Sequence, residues 1–292
     1  MTALESIVVG LDLDPRACVP TAGSLAAAQT ALWLAQAVHA HVTLLHSVAR
    51  DEYFDPLTSE LVSICDTVTP EARLAVGELV ARFRAAGVAC ETVDSSERPS
   101  LAVTREVQRQ RADLVLIGKH DGREVDATRI GPIALRVLRE CPSPVWTVIP
   151  GRAVEPRRVV AATDLTAAGE EATRWAASIS DLAQAELHVV HVHPPALHTR
   201  RGDSEAQKSR LLGAMQGPLT DAQRARAQLH LREAPPARGV LSLVEELEPD
   251  LVCLGIYSHK KSPSVSPSVS IGSTAERLLA RLESGVLALK PA

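Results

Sequence analysis

The chain has 292 residues, more than one typical domain of about 100 to 200 residues, and this length predicts two domains. Hydrophobic residues make up 46% of the sequence and charged residues 23%, a composition that excludes intrinsic disorder and predicts a fold throughout. The formal net charge of -4 supplies no basic surface, so we expect no direct binding of nucleic acid.

The chain begins with MTALESIVVGLDLD, which carries acidic residues where a signal peptide would carry basic ones. Its apolar stretch is also too short to span a bilayer. These features predict a cytoplasmic protein that does not associate with membranes.

The first half of the chain alternates apolar runs with Ala-rich, amphipathic segments. The β-branched run Ile7–Asp12 predicts a first strand, and the spacing of apolar residues in Ser24–His39 predicts a helix. A second strand is predicted at Val42–Val48. A variable segment follows at Ala49–Pro70, where we expect helical stretches. Asp113–Gly118 predicts a later strand.

The second half repeats this order, which is the strongest signal in the sequence. The repeated segments are a strand at Val159–Asp164, a helix at Ala167–Ala183, a strand at Leu187–Val192, a variable, partly helical segment at Pro194–Thr220 and a strand at Asp250–Gly255. Each half closes with a helix and a final strand, in Pro132–Pro150 and in Ser273–Pro291. Strands that alternate with helices predict an α/β fold with a parallel sheet covered on both faces. The turn-rich Gly151–Pro156 separates domains at 1–150 and 157–292.

Five cysteines are scattered along the chain and form no CxxC motif. An odd number at such spacings favours buried, reduced thiols over a disulfide framework or a zinc site. The cysteines are Cys18, Cys65, Cys90, Cys141 and Cys253.

The second half resembles a universal stress protein domain. The features that carry the resemblance are a first strand that ends in Asp164, a strand that ends in Gly255, and the closing sequence IGSTAERLLARLESGVLALKP. The resemblance extends over nearly the whole chain. It implies two tandem Rossmann-like domains of the adenine nucleotide alpha hydrolase type, each with an open, parallel, five-stranded sheet flanked by helices.

In that family a loop of the form Gly, two residues, Gly, nine residues, Gly and then Ser or Thr surrounds nucleotide phosphates. Glycines let the backbone approach an anion, and amides at a helix start can donate to it. The family's acidic residue near the adenosine corresponds to Asp164. The resemblance therefore implies a pocket for ATP or another phosphate ligand formed by Asp164, Gly255, Ser258, Gly272, Ser273 and Thr274.

The lengthened loop of this pocket holds a duplicated SPSV, at Ser262–Val265 and Ser266–Val269. Removal of one copy would restore the family spacing. Purely structural roles remain open for two of the polar residues. Asp164 could cap a helix or turn, and Ser273 could be the N-cap of the last helix, with Glu276 completing a capping box.

The corresponding loop of the first half keeps the spacing but not the chemistry. Asp121 follows Gly118 and would place negative charge beside a phosphate, while Pro132 after Gly131 removes an amide donor. We predict that this half does not bind ATP.

The strings KHD, at Lys119–Asp121, and ECPSPVW, at Glu140–Trp146, resemble the E-type tandem universal stress proteins. That resemblance implies an intramolecular pseudo-dimer in which Val145–Ile149 pairs with Val286–Leu289. Such pairing would also cover an edge strand. Further homodimerisation is left open.

Histidines and lysines give weaker signals. His188, His191 and His193 cluster in and beside the second predicted strand of this half, and His191 and His193, on one of its faces, could seat a metal. No carboxylate or cysteine lies nearby at ligand spacing, so solvated strand-end histidines are favoured. His259 stands beside Lys260 and Lys261, which could face a phosphate or form a solvated loop.

Motifs of catalysis are missing from the sequence, including GxSxG, GxxxxGK[ST], HExxH and GxGxxG. We therefore expect a stress-response binding protein and not an enzyme. One alternative is an interaction or scaffold protein whose two sites are both vestigial. A third, an ATP-consuming enzyme, would need a metal-binding loop that the sequence lacks. The triggering stress and any protein partner are not specified by the sequence.

Overall fold

The protein is described here from a computed structural model. The structure describes residues 4–14, 17–47, 52–55, 60–63, 69–119, 130–193, 201–256 and 271–290. The chain divides into two compact units between Val154 and Glu155, inside the turn-rich segment Gly151–Pro156. Among the helices in the described residues, none has the length and apolar character needed to cross a membrane.

The N-terminal unit contains a parallel sheet of five strands in the order β5-β2-β1-β6-β7, and a separate antiparallel hairpin, β3-β4. Its elements are β1 (Ser6–Leu11), α1 (Ala22–Val38), β2 (His41–Ser47), β3 (Glu52–Asp55), β4 (Glu60–Ser63), α2 (Pro70–Ala85), β5 (Cys90–Ser95), α3 (Pro99–Gln110), β6 (Leu114–Gly118), α4 (Pro132–Glu140) and β7 (Val145–Val148).

The C-terminal unit repeats this sheet in the order β10-β9-β8-β11-β12. Its elements are β8 (Arg158–Ala162), α5 (Ala167–Ala183), β9 (Glu186–His193), α6 (Arg201–Gln216), α7 (Asp221–Arg226), β10 (Gln228–Glu233), α8 (Pro236–Leu247), β11 (Leu251–Gly255), α9 (Ser273–Leu279) and β12 (Gly285–Leu289). The predicted fold class, two tandem α/β domains with five-stranded parallel sheets, is confirmed.

The central strands are buried along nearly their whole length. In β1 the residues Ile7, Val8 and Val9 are 0% exposed, and in β11 the same holds for Val252 and Cys253. Continuous burial arises because helices cover both faces of a parallel sheet, so every side chain of a central strand enters a core. This explains why these strands appear in the sequence as unbroken apolar runs.

Small residues bring the first helix of each unit very close to the sheet. A Cβ on Gly118, at the end of β6, would lie 2.6 Å from the carbonyl carbon of Gly23 in α1. In the second unit a Cβ on Gly255 would lie 2.8 Å from the Cβ of Ala168 in α5. Gly255, interpreted from the sequence as a phosphate-loop residue, therefore also has a packing role that the sequence pattern did not reveal.

Two aspartates tie the start of the first strand to the fourth strand of each sheet. The Asp113 carboxylate accepts hydrogen bonds from the amides of Glu5 and Ser6, at 2.8 and 3.0 Å. The Asp250 carboxylate accepts from the amides of Arg157 and Arg158, at 2.7 and 3.2 Å. The repeated Asp of DLVLIG and DLVCLG is therefore a structural acceptor at the amino edge of the sheet.

Replacement of Asp250 by alanine is expected to lower the free energy of unfolding of the C-terminal unit by about 2 kcal/mol, because two strand amides lose their acceptor. Asp250→Asn, which keeps one amide oxygen, should restore part of this loss. Urea unfolding followed by circular dichroism measures both variants. An Asp250→Ala protein as stable as the wild type would show that water replaces the carboxylate at no cost.

The two variable segments differ from each other. In the second, α6 confirms the expected helix. In the first, the expectation of helix is wrong for the described residues, where β3 and β4 pair with Tyr53 opposite Val62 and Phe54 opposite Leu61. Aromatic and β-branched residues such as Tyr53, Phe54 and Val62 favour an extended backbone, which explains why strands form here.

Three of the five cysteines are buried, namely Cys90, Cys141 and Cys253, which confirms the prediction for them. Cys18 is half-buried, and Cys65 lies outside the described residues. Burial raises the pKa of the Cys90 thiol to about 11 and also raises the pKa of Cys253, so both thiols stay protonated at neutral pH.

Candidate functional site

The strand order of the C-terminal unit places a switch point between β8 and β11. From β8 the chain continues outward through β9 to β10, and it then crosses to the other side to form β11 and β12. The connections that leave the carboxyl ends of β8 and β11 therefore run to opposite sides and leave a crevice. Open α/β sheets bind their ligands at this place.

A cavity of about 320 Å³ occupies this crevice. Its size lies at the lower end of the range of small-molecule sites. The lining residues come from the carboxyl ends of β8, β9 and β11, from the turn after β8, and from α8, α9 and the N-cap of α9: Ala162, Thr163, Asp164, Val192, Pro236, Val240, Leu254, Gly255, Gly272, Ser273, Thr274, Ala275 and Leu278.

Five of the six residues predicted from the sequence line this one cavity, although they come from three distant segments: Asp164, Gly255, Gly272, Ser273 and Thr274. The sixth, Ser258, lies outside the described residues, as do His259, Lys260, Lys261 and the duplicated SPSV. The structure thus brings the described members of the predicted set together.

Asp164 is exposed and held in one orientation by a turn. Its Oδ1 accepts hydrogen bonds from the amide and the hydroxyl of Thr166, at 3.1 and 2.6 Å. Within the described residues its Oδ2 has no hydrogen-bond partner. Thr166, not Asp164, is the N-cap of α5, so only the turn-forming part of the structural alternative applies. One carboxylate oxygen remains available to a ligand.

The turn that carries Asp164 is tight. Leu165 has φ of 63°, a left-handed conformation that is uncommon for a residue other than glycine, and its amide donates to the Thr163 hydroxyl at 3.1 Å. His191 of β9 lies 2.9 Å from the Thr163 carbonyl through Nδ1, which must therefore carry the proton. These bonds support a conformation that the chain would otherwise avoid.

The start of α9 differs from the capping box considered for Ser273. The N-cap is Gly272, with φ of -61° and ψ of 145°, and its position has no side-chain cap. Ser273 is the first helical residue, so the distance to Glu276 no longer fits a capping box. In the part of the chain that the structure describes, the Ser273 and Thr274 hydroxyls have no hydrogen-bond partner. Both can therefore donate to a ligand in the cavity.

The apolar wall of the cavity was missed in the sequence. It consists of Val192, Pro236, Val240, Leu254 and Leu278, which in the sequence resemble ordinary core positions. Only the ends of β9 and β11, at Val192 and Leu254, offered a signal, because ligand contacts in this fold come from the carboxyl ends of strands. Pro236 and Val240 lie on α8, whose position over the crevice depends on tertiary packing.

Comparison with known proteins finds the same family in both units. A model of the universal stress protein family matches residues 4–148 and again residues 155–290. The chain belongs to the universal stress protein family. The two matches cover the two structural units separately, as expected for a tandem repeat of one domain.

Curated relatives include universal stress protein E homologues. The Haemophilus influenzae protein is 26% identical over 207 residues, which cover 65% of this chain and 66% of the relative. The Escherichia coli K12 protein is 26% identical over 211 residues, with 66% of each chain covered. The matched region is slightly less than two thirds of the relatives' own length.

Solved structures share the fold over the whole chain. A functionally unknown protein from Pseudomonas aeruginosa PAO1 has a TM-score of 0.71 at 23% identity, with 99% of this chain and 93% of that chain covered. A universal stress protein from Archaeoglobus fulgidus has a TM-score of 0.71 at 17% identity, with both chains covered to 100%. At these identities the likeness concerns the fold alone.

The N-terminal universal stress protein domain has a different arrangement at the same edge of its sheet. Residues 12–21 connect β1 to α1, whereas the shorter 163–166 connects β8 to α5. The Ser24 hydroxyl accepts from the Asp12 amide at 2.7 Å and donates to the Asp12 carbonyl at 3.0 Å. Gly169 is the corresponding residue of α5, since each is the third residue of its helix. In the first domain the Ser24 side chain therefore occupies the position at which the second domain has Gly169, a residue without a side chain.

The phosphate-loop substitutions of the first domain are partly described. Pro132 begins α4 and Gly131 is its N-cap, so the amide expected after the glycine is missing, as predicted. Asp121 lies outside the described residues.

Two histidines of β9, His188 and His191, are not the solvated residues that the sequence favoured. His188 is 2% exposed and its Nδ1 lies 3.0 Å from Nε2 of His230, while His191 bonds to the turn at Thr163. Among the described residues no cluster of three or more His, Cys, Asp or Glu side chains could hold a metal ion. The position of β9 explains the difference, since β9 lies between β8 and β10 and not at the edge of the sheet.

Proposed function

We propose that the protein is a cytoplasmic stress-response binding protein whose C-terminal domain takes ATP, or another phosphate compound, into the cavity at the β8–β11 switch point. The observation that carries the proposal is the meeting of Asp164, Gly255, Gly272, Ser273 and Thr274 around this cavity. The same residues match the nucleotide-binding pattern of the family in the sequence.

The chemistry of the cavity suits a ligand with an apolar part and an anionic part. The wall of Val192, Val240 and Leu254 can contact a flat or aliphatic group, and it stands in for aromatic stacking, since only 2% of the sequence is aromatic. The Ser273 and Thr274 hydroxyls can donate to phosphate oxygens. The free Oδ2 of Asp164 can accept from a hydroxyl or amino group.

The role proposed for these residues is binding and not catalysis. Asp164 is engaged by Thr166 through one oxygen, and no His, Lys or Cys lines the cavity within the described residues. General acid-base chemistry would need a titratable partner within hydrogen-bond reach of the ligand. A ligand-dependent change of surface is the function that such a site can serve.

A scaffold protein without a ligand is the second candidate. It is favoured by the first domain, in which Ser24 occupies the position next to Asp12 and Pro132 follows Gly131. If the second domain has also lost its ligand, the pair of domains would act only through its surfaces.

Calorimetric titration of the full chain with ATP and magnesium separates the two candidates. We expect one site per chain, and we expect Thr274→Trp to abolish the binding because an indole at the second residue of α9 would fill the cavity. Ile133→Trp is the matched control, since Ile133 is the second residue of α4 and is 51% exposed. A wild-type protein that is folded but releases no heat would favour the scaffold.

The pseudo-dimer of the two domains and a further homodimer stay predictions, as do the cytoplasmic location and the absence of nucleic-acid partners.

A further inference from the structure

A pair of histidines joins two strands of the C-terminal domain beneath α8. His188 of β9 and His230 of β10 stack with ring centroids 5.2 Å apart and an interplanar angle of 27°. The His188 Nδ1 lies 3.0 Å from the His230 Nε2. His188 is 2% exposed and His230 is half-buried.

This geometry accommodates one proton between the two rings. A hydrogen bond between two imidazole nitrogens needs one N–H donor and one bare nitrogen. If both of these nitrogens carried protons, two donors would face each other at 3.0 Å in a buried place. Burial, the largest cause, lowers the pKa of His188 and of His230, and the neighbouring His188 lowers that of His230 further.

The charged groups around the pair already neutralise one another. On β8 and β9, Arg158 Nε lies 2.9 Å from Glu186 Oε2, which in turn lies 3.5 Å from Nε2 of His188. On β10 and α8, Arg232 donates to Glu246 at 2.9 Å. Each carboxylate therefore has a guanidinium partner, and Glu186, which raises the pKa of His188, offsets only part of the effect of burial.

The same strand and helix reach the cavity at their other ends. Val192 of β9 and Pro236 and Val240 of α8 line it. Gly239 of α8 contacts β9 so closely that a Cβ would lie 2.6 Å from Cγ1 of Val192. Arg232 holds α8 through Ser242 as well, at 3.3 Å. Displacement of α8 at the histidine end would thus change the wall of the cavity.

We propose that the His188–His230 pair is an acid-sensitive clasp between β9 and β10, the strands to which α8 is joined through Val192 and Arg232, and that acidification loosens this wall of the cavity. Control of ligand binding by the clasp rests on the function proposed above. The clasp itself does not.

The direction of the effect follows from proton linkage. Because the folded-state pKa values lie below the ordinary value of 6.5, the unfolded or opened state binds more protons over the interval just beneath it. The clasp is therefore fully stable above about pH 6.5, and stability is lost as the pH falls below it. Above that value the pair contributes no pH dependence.

Hydrogen exchange of the full chain without any nucleotide tests the clasp, at about pH 7.5 and about pH 5.5, on either side of the ordinary histidine pKa. After correction for intrinsic rates, we expect amides of α8 and β10 to exchange several-fold faster at the lower pH. In His188→Phe/His230→Phe, which keeps two flat rings but removes the titration, this difference should disappear. His39→Asn, at a left-handed helix C-cap in the other domain, is the control and should behave as the wild type.

Should the double variant not fold, His188→Gln/His230→Gln serves in its place, because the two amides can hydrogen-bond to each other and neither of them titrates. Equal protection of α8 at both pH values in the wild type would overturn the proposal. An acid-induced loss of protection in α8 that persists in the folded histidine variant would also overturn it.

Titration with ATP at both pH values is a separate experiment. The absence of binding at either pH would refute the proposed function, and it would leave the hydrogen-exchange result for the clasp intact.

Discussion

Gly118→Ala is expected to lower the free energy of unfolding of the N-terminal domain by about 3 kcal/mol, the upper end of the usual cost of overpacking. The added methyl would lie 2.6 Å from the carbonyl carbon and 2.8 Å from the Cα of Gly23. These are backbone atoms, so no flexible side chain can move aside. The start of α1 and the end of β6 would have to separate.

Gly77→Ala in the same domain is the matched control. Gly77 lies in α2, and a Cβ there would meet nothing within 4 Å, so alanine should raise stability by up to about 1 kcal/mol through helix propensity. Guanidinium unfolding of the two variants gives opposite signs for the same chemical change. A Gly118→Ala protein as stable as the wild type would show that α1 can shift without cost.

Gly272→Asp is expected to weaken ATP binding about 100-fold while the protein stays folded. A negative charge about 5 Å from a phosphate costs about 3 kcal/mol at an effective dielectric constant of about 20, and each 1.4 kcal/mol is about tenfold in affinity. Aspartate suits the conformation of Gly272, which is an extended N-cap without a side-chain cap. Loss of binding would then not be a consequence of unfolding.

The corresponding substitution in the first domain distinguishes the two pockets. Gly131 is the N-cap of α4, with φ of -63° and ψ of 160°, and space is open around it. Gly131→Asp should therefore leave ATP binding unchanged in the calorimeter. If Gly131→Asp abolished binding and Gly272→Asp did not, the ligand site would belong to the N-terminal domain.

Much of the fold could be predicted from local pattern. The repeat of IVVGLD as VVAATD, with the Ala-rich segment after each, corresponds to β1-α1 and β8-α5. Helix α5 has the predicted bounds, Ala167–Ala183. Periodicity succeeds here because a strand buried on both faces must be apolar throughout, and a helix packed on it must be apolar on one side.

The roles of single residues were less predictable. Ser273 was considered as an N-cap, yet the helix begins one residue earlier, with Gly272 at the cap. His188 was interpreted as solvated, yet it is buried against His230, which follows it far along the chain. Partners of this kind are brought together by strand order, and a single sequence does not contain that order.

What the sequence determined by itself is the repeat and the alternation of strands and helices, which depend on local periodicity. The resemblance to a family added the residues of the pocket, five of which meet at the carboxyl edge of the second sheet. Only the tertiary structure showed that α5 packs closely against Gly255, that Val192 and Val240 form a wall of the cavity, and that His188 of β9 lies within hydrogen-bond distance of His230 of β10. Each of these is a contact between elements distant in sequence, and such contacts depend on close packing in three dimensions.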